Sequence, residues 1–296
     1  MRESTLGPEV VLRTVRAPWV TWLGYVRRKP LGAFSALLIA IVVFLAAFAE
    51  LVAPYDPVEM FGAQSLKPPS VDFIMGTDHL GRDLFSRIVH GARISLVVGL
   101  GSVGLGLAFG CSLGMLSAYV GGRFDMILQR VMDAMQTFPG VILALAILAA
   151  LGPSTANVII AIGFSLVPRN NRVVRGAVLS EKNNVYVEAA RAMGGSSMRI
   201  MALHILPNVM APIIIIGATE LGSAILAEAS LSFLGLGVPS PLPSWGGMLS
   251  GKARTYLFAA PWTAIFPGLA ISIAVLAWNL LGDALRDIWD PRLRGS

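Results

Sequence analysis

The chain has 296 residues, of which 55% are hydrophobic and only 14% are charged, and its mean hydropathy is +0.71. A soluble domain usually carries about 25% charged residues, so this composition excludes an ordinary soluble protein and indicates an integral membrane protein. The formal net charge of +6 needs no nucleic acid to explain it, because basic residues concentrate in the segments expected on the inner side of the membrane.

Apolar segments long enough to cross a bilayer recur along the chain. A helix needs roughly 20 apolar residues to span a hydrocarbon layer about 30 Å thick, and helices satisfy their own backbone hydrogen bonds in lipid. We therefore predict an all-α membrane protein with six transmembrane helices. They are expected at about 31–53, 94–119, 126–151, 157–174, 209–233 and 262–281.

The first span is longer than the apolar region of a secretory signal, which has about 7–15 residues, so we predict an uncleaved anchor. Beyond it, Leu80, Leu84 and Ile88 fall on one face at helical spacing, which predicts an amphipathic helix in the outer segment. The predicted domains are a lead at 1–30, the first span at 31–53, an outer segment at 54–92, a core of five spans at 93–283 and a tail at 284–296.

The distribution of charge predicts the orientation. With the amino terminus inside, the inner segments hold most of the 23 Lys and Arg residues, and the basic cluster at 27–29 lies where lipid head groups are expected. The positive-inside rule then places both termini and the polar segment 183–207 in the cytoplasm.

Several residues inside the spans have a structural and a functional interpretation. Gly106, Gly110 and Gly114 recur every four residues, so they lie on one helix face and allow a close helix contact, either static or sliding. Charged residues inside a span are expensive and mark either a transport pathway or a group hydrogen-bonded within the bundle. The candidates are Asp133, Glu220 and Glu228.

The sequence offers little for catalysis or for metal binding. Gly99 to Gly104 matches the G-x-G-x-x-G fingerprint, but it lies within a predicted span, where a nucleotide cannot bind. Gly246 to Lys252 resembles a P-loop, but Ala253 stands where Ser or Thr should bind magnesium. The three His residues show no ligand spacing, and the single Cys111 cannot form an internal disulfide, so we expect neither a metal nor a cofactor bound by this chain.

Segment 183–207 predicts two short helices joined by a sharp bend. Asn183 or Asn184 can cap the first helix, and Gly194 can supply the left-handed residue that ends it. Ser196 can cap the second helix, which we expect Pro207 to close. Its expected apolar face consists of Met198, Met201, Ala202 and Ile205.

Residues 188–207 resemble the EAA loop of ABC-importer permeases. The family pattern is Glu-Ala-Ala, three residues, Gly, nine residues, an apolar position, any residue, and Leu-Pro; His204 departs from it at the apolar position. Residues 76–96, 231–249 and 279–292 also resemble the dipeptide and oligopeptide branch, in particular its C-type permease subunit. The resemblance assigns ATPase coupling to Glu188, Ala189, Ala190, Arg191, Ala192, Gly194, His204, Leu206 and Pro207.

This resemblance implies a type I importer permease fold in the bacterial plasma membrane and a subunit without enzymatic activity. It implies a heterodimer with a second permease, two cytoplasmic ABC ATPases that bind ATP and Mg, and an extracytoplasmic substrate-binding protein. The cargo would be di- or oligopeptides, with nickel or glutathione as alternatives. An ion-coupled carrier is a less favoured interpretation, because the two halves of the chain show no convincing repeat.

Overall fold

The structure is a computed structural model that describes residues 30–251, 255–256 and 258–289; most of the predicted lead and half of the predicted tail lie outside these residues. The regular structure in the described ranges is helical, apart from an isolated antiparallel bridge between Thr77 and Asp83. The α-helices are α1 (Pro30–Ala47), α2 (Ala49–Val52), α3 (Leu84–Val120), α4 (Gly122–Gln136), α5 (Gly140–Leu151), α6 (Thr155–Glu181), α7 (Val185–Ala192), α8 (Ser197–Ile200), α9 (Leu206–Phe233), α10 (Trp245–Met248) and α11 (Trp262–Trp289).

Four described helices are long and apolar enough to cross a membrane: α1, α3, the continuous helical run Ser197–Phe233, and α11. The pair α4 and α5 adds a fifth span if the two helices, bent by 90° at residues 137–139, are counted together. Helix α6 does not meet the same criterion, because Arg and Asn residues follow its apolar first half. The count of six spans therefore stays a prediction.

Helix α3 is a single helix of 37 residues, where we predicted an amphipathic helix followed by a separate span. Asp83 caps its amino terminus by accepting a hydrogen bond from the backbone N–H of Ser86 at 2.7 Å. No proline interrupts the chain after this cap, so the helix continues into the apolar region. Leu84 and Val89 are buried within the protein, whereas Leu80 precedes the helix.

Helices α3 and α6 pack closely along the glycine face of α3. A Cβ atom at Gly110 would lie 2.4 Å from the Cβ of Asn170, and one at Gly114 would lie 2.6 Å from the carbonyl oxygen of Asn171. A Cβ atom at Gly106 would also be crowded, at 2.9 Å from the Cβ of Leu166. These distances leave no room for a side chain, so the absence of one lets the two backbones approach.

The segment between α2 and α3 forms a cap over one end of the bundle. The rings of Tyr55, Phe61 and Phe73 pack against one another at centroid distances of 5.3 to 5.6 Å. The indole N–H of Trp262, at the start of α11, donates to the carbonyl of Thr77 at 3.2 Å. The aromatic rings thus hold the cap together, and hydrogen bonds fix it to the bundle, including one from Arg87 of α3 to the carbonyl of Pro57 at 2.7 Å.

Candidate functional site

The polar segment 183–207 folds into the expected bend between two helices. Helix α7 ends in a Schellman motif: Gly194 has φ +80°, the N–H of Gly195 donates to Ala190, and that of Gly194 donates to Arg191. The side chain of Asn184 precedes α7 but makes no capping bond; its amide donates instead to Glu181. The bend therefore follows from a local left-handed residue, which glycine adopts without strain.

The second helix of the hairpin differs from the prediction at its far end. Ser196 caps α8 as expected, but the chain continues through a π-helical turn, Met201–Ile205, directly into α9. In this wider turn the N–H of Leu206 donates to the carbonyl of Met201. Pro207 has no N–H to donate, and it lies in the first turn of α9, where that loss costs little. Pro207 therefore does not end the helix, and the predicted closure is wrong.

The buried face of the hairpin also differs from the predicted one. Val187 and Ala190 of α7 pack together with Ile200 and Ile205 on the carboxyl-terminal ends of α3 and α6. Met201 is buried as expected, but Met198 and Ala202 are exposed. The helical pattern assumed a uniform period of 3.6 residues, and the π-turn changes the phase of the helix at this point.

The opposite face of the hairpin, which we call the exposed face, is accessible and partly apolar. Val185 and Met193 are each 80% exposed, Met198 is 71% exposed and Leu203 is 60% exposed. Most residues assigned by the resemblance lie here or close by: Glu188, Ala189, Arg191, Ala192, Gly194 and Pro207 are exposed, His204 and Leu206 are partly buried, and Ala190 is buried. Large exposed apolar side chains therefore lie along the hairpin, on α7, α8 and the turns that follow them.

Polar contacts fix the base of the hairpin to the bundle. The ammonium of Lys182 donates to the carbonyl of Ala118, at the end of α3, at 2.7 Å. The Tyr186 hydroxyl donates to Glu181 at 2.7 Å and accepts from the amide of Asn208 at 3.2 Å. Desolvation, followed by the bond to Glu181, raises the pKa of Tyr186, so this hydroxyl stays protonated.

A bidentate ion pair joins the first turn of α4 to α6. The Arg175 guanidinium donates from Nε and an Nη to the two oxygens of Asp125 at 2.7 and 2.6 Å. This ion pair holds α4 against α6.

The three charged candidates inside the spans do not lie together. Glu220 is fully buried and accepts a hydrogen bond from Asn170 at 3.0 Å, which links α9 to α6. Glu228 is also fully buried and bonds to the hydroxyls of Ser95 and Ser232. Asp133 is exposed and pairs with Arg172 at 2.9 Å.

A cavity of about 590 Å³ opens beside the bend between α4 and α5, against α6 and α9. Its lining is mainly apolar, with Arg169, Arg172, Gln136, Ser165 and Ser223 as polar groups. Neither Glu220 nor Glu228 lines it. None of these five residues was assigned a role from the sequence. Ser165, Arg169 and Arg172 recur on one face of a helix, and this spacing could have indicated a shared polar face.

The described residues contain no group of three or more His, Cys, Asp or Glu side chains arranged to hold a metal ion. The arrangement as a whole combines an accessible, partly apolar hairpin at one end of the bundle with a semi-open cavity in its side. The hairpin can bind a partner protein, and the cavity can line part of a passage through the bundle.

Comparison with known proteins assigns this architecture to a family. The family described as "Binding-protein-dependent transport system inner membrane component" matches residues 106–295, and the "N-terminal TM domain of oligopeptide transport permease C" matches residues 17–69. Among solved structures, the MetNI methionine ABC transporter in inward-facing conformations is similar with a TM-score of 0.56 and 18% identity, covering 68% of this chain and 96% of that chain. This likeness shows the fold alone.

Curated relatives cover almost the full chain. The di/tripeptide transport system permease protein DppC of Pseudomonas aeruginosa (strain UCBPP-PA14) is 45% identical over 93% of this chain and 92% of its own. The glutathione transport system permease protein GsiD of Escherichia coli O6:K15:H31 (strain 536 / UPEC) is 43% identical over 99% of this chain and 98% of its own. The dipeptide transport system permease protein DppC of Alkalihalophilus pseudofirmus is 42% identical over 95% and 92%.

These matches confirm the predicted fold class, resemblance and membrane location. The chain therefore belongs to the family of binding-protein-dependent transport system inner membrane components, as a multi-pass permease subunit of an ABC importer in the bacterial inner membrane.

Proposed function

We propose that this chain is a non-catalytic permease subunit of an ATP-driven importer of di- or oligopeptides. It forms half of the translocation path and receives the work of ATP hydrolysis through the hairpin 183–207. The observation that carries this proposal is the two-sided construction of the hairpin: one face is packed into the bundle and the other is exposed and partly apolar.

A hairpin of this construction can transmit force. Its buried face contacts α3 and α6, so a displacement of the hairpin by a partner would move both helices. The bond from Lys182 to Ala118 and the ion pair between Arg175 and Asp125 stiffen the same region. A stiff connection is what mechanical coupling requires, because a flexible loop would absorb the motion of the partner.

The partners follow from the same assignment. A second permease subunit would complete the path, two cytoplasmic ATPases would bind ATP and Mg, and an extracytoplasmic binding protein would deliver the cargo. The relatives named for di/tripeptide, dipeptide and glutathione transport support short peptides as the cargo class. Glutathione and nickel remain the alternatives to ordinary peptides.

Cysteine crosslinking tests the coupling proposal. In a Cys111→Ala background, we expect Ala192→Cys, on the exposed face, to crosslink to a cysteine in the groove of the ATPase partner. Ala190→Cys is the matched control, because Ala190 is on the same helix but only 4% exposed. Assembly of the complete transporter without crosslinks from Ala192 or its exposed neighbours would contradict the proposal.

A further inference from the structure

Two arginines, Arg169 and Arg172, line the cavity beside the bend of α4 and α5, and their charges are compensated differently. Arg172 forms an ion pair with Asp133 at 2.9 Å, so its charge is compensated within the chain. For Arg169, the described residues offer no carboxylate within 4.0 Å. Arg169 is nevertheless exposed and lines the cavity.

The buried carboxyl of Glu220 on α9 does not form an ion pair with Arg169. The charge of Arg169 acts on Glu220 at longer range, but no carboxylate oxygen of Glu220 lies within 4.0 Å of the guanidinium. The Oε2 of Glu220 accepts from the amide of Asn170, and its Oε1 has no hydrogen-bond partner among the described residues. The guanidinium of Arg169 is therefore left without an ion-pair partner in the described part of the chain.

An uncompensated cation at this position is expensive. Arg169 lies within the fourth predicted span, 157–174. Charged side chains within a span usually serve an ion or substrate pathway. The missing partner of Arg169 should be an anion that enters and leaves the cavity.

We propose that Arg169 binds the terminal carboxylate of the peptide cargo as it passes through this cavity. A guanidinium matches a carboxylate with two parallel hydrogen bonds, so it fits this ligand better than an ammonium would. The inference rests on the proposed function, since it assumes a peptide cargo. It also distinguishes among the alternatives, because the same charge would repel a free nickel ion and would attract glutathione.

The remaining lining is suited to the rest of a short peptide. Gln136, Ser165 and Ser223 offer donors and acceptors for peptide groups. Phe138, Leu166 and several other apolar residues line the remaining wall. The volume of about 590 Å³ lies within the range of about 300–1,000 Å³ that is usual for small-ligand sites.

Equilibrium dialysis of radiolabelled dialanine tests the inference, with the purified complete permease–ATPase complex and without binding protein or ATP. We expect saturable binding to the unmodified complex, with at least about tenfold weaker competition by alanyl-alaninamide, because the amide lacks the charged acceptor for the guanidinium. Arg169→Gln should weaken dialanine binding about tenfold or more, and Arg169→Lys should restore part of it. Equal competition by the amide, or unchanged binding in Arg169→Gln, would overturn the inference.

Uptake into proteoliposomes, driven by ATP and the loaded binding protein, gives an independent readout. Arg169→Gln should lower dialanine uptake about tenfold while ATP hydrolysis stimulated by the binding protein persists. The matched control Arg123→Gln removes an exposed basic residue outside the cavity and should leave uptake unchanged. If Arg169→Gln instead prevents assembly with the second permease, the guanidinium pairs with that subunit, and the inference is wrong.

The two proposals fail in distinguishable ways. An unmodified complex that imports neither dialanine nor glutathione contradicts the peptide function itself. An unmodified complex that imports dialanine, together with an Arg169→Gln variant that binds and imports it equally well, contradicts only the role of Arg169.

Discussion

The adjacent glycines Gly194 and Gly195 have different physical roles in the bend of the hairpin. Gly194 adopts φ +80°, and a Cβ atom there would meet no atom within 4 Å. Gly195 lacks a positive φ, but a Cβ atom there would lie 2.8 Å from the carbonyl oxygen of Ala190. Gly194 is thus required for its left-handed backbone conformation. Gly195 is required because no side chain fits beside the carbonyl of Ala190. Only Gly194 leaves space for a substituent on the surface.

This difference makes Gly194 a suitable position for testing coupling. We expect Gly194→Trp to leave the subunit inserted and the complex hydrolysing ATP while peptide uptake falls, since a bulky ring at the bend would obstruct docking. A loss of about 2 kcal/mol, the size of an interface hot spot, would weaken docking about thirtyfold. The measurement is uptake per ATP hydrolysed in proteoliposomes.

The control for this variant is Gly194→Asn, because asparagine tolerates the left-handed conformation and remains small. Normal peptide uptake by Gly194→Trp would refute the role of the bend. Equal losses in both variants would attribute the effect to backbone strain instead of to docking.

At the scale of elements, the contact between α3 and α6 connects the hairpin to the cavity. The glycine face of α3 packs against the stretch of α6 that includes Asn170 and Asn171, and Asn170 also bonds to Glu220 of α9. Arg169, which lines the cavity, directly precedes Asn170. A shift between α3 and α6 would therefore reposition the cavity lining, which would connect the proposed coupling site to the proposed pathway.

Because α3 and α6 pack closely at Gly110, one added methyl group there should lower the stability of the subunit. We expect Gly110→Ala to destabilise the subunit by about 1–3 kcal/mol, because overpacking forces backbones or side chains to shift. Gly104→Ala, on the same helix, should be neutral, since a Cβ atom there meets nothing within 4 Å. Thermal unfolding of the purified complex, followed by size-exclusion chromatography, measures the difference. Identical melting of the two variants would show that the contact is looser than the structure indicates.

At the scale of the whole molecule, the hairpin and the cap between α2 and α3 should lie on opposite sides of the bilayer. Charge predicts this arrangement, since basic residues concentrate on the side of the hairpin. The cap contains Val71, which is 99% exposed, and the hairpin contains Met193, which is 80% exposed. Both positions are exposed on this subunit, so each is accessible on its own side of the membrane in cells that lack the ATPase partner, which the labelling experiment uses.

Labelling with a membrane-impermeant maleimide tests the orientation in a Cys111→Ala background. Val71→Cys should react in intact spheroplasts, and Met193→Cys should react only in inverted vesicles. Reaction of both variants from the same side would contradict the predicted topology and would remove the hairpin from reach of a cytoplasmic ATPase.

Features with a local physical cause were predicted well. The apolar segments, the left-handed Gly194 and the Ser196 cap depend on residues close together in the chain, and the EAA pattern identified the family. Two local features were still mispredicted. Helix α3 continues through the expected boundary, and the helix after Ser196 continues past Pro207, because a proline in a first turn costs little and the preceding turn widens.

By itself, the sequence determined that this is a helical membrane protein with an importer-type hairpin, because hydropathy, charge and short-range turn chemistry act within a few residues. Only the tertiary structure decided which charges are compensated. Arg172 pairs with Asp133, 39 residues away in the sequence, and Arg175 pairs with Asp125, 50 residues away. Arg169 forms no such ion pair among the described residues. Pairing across such separations depends on how helices pack, and helix periodicity carries no information about it.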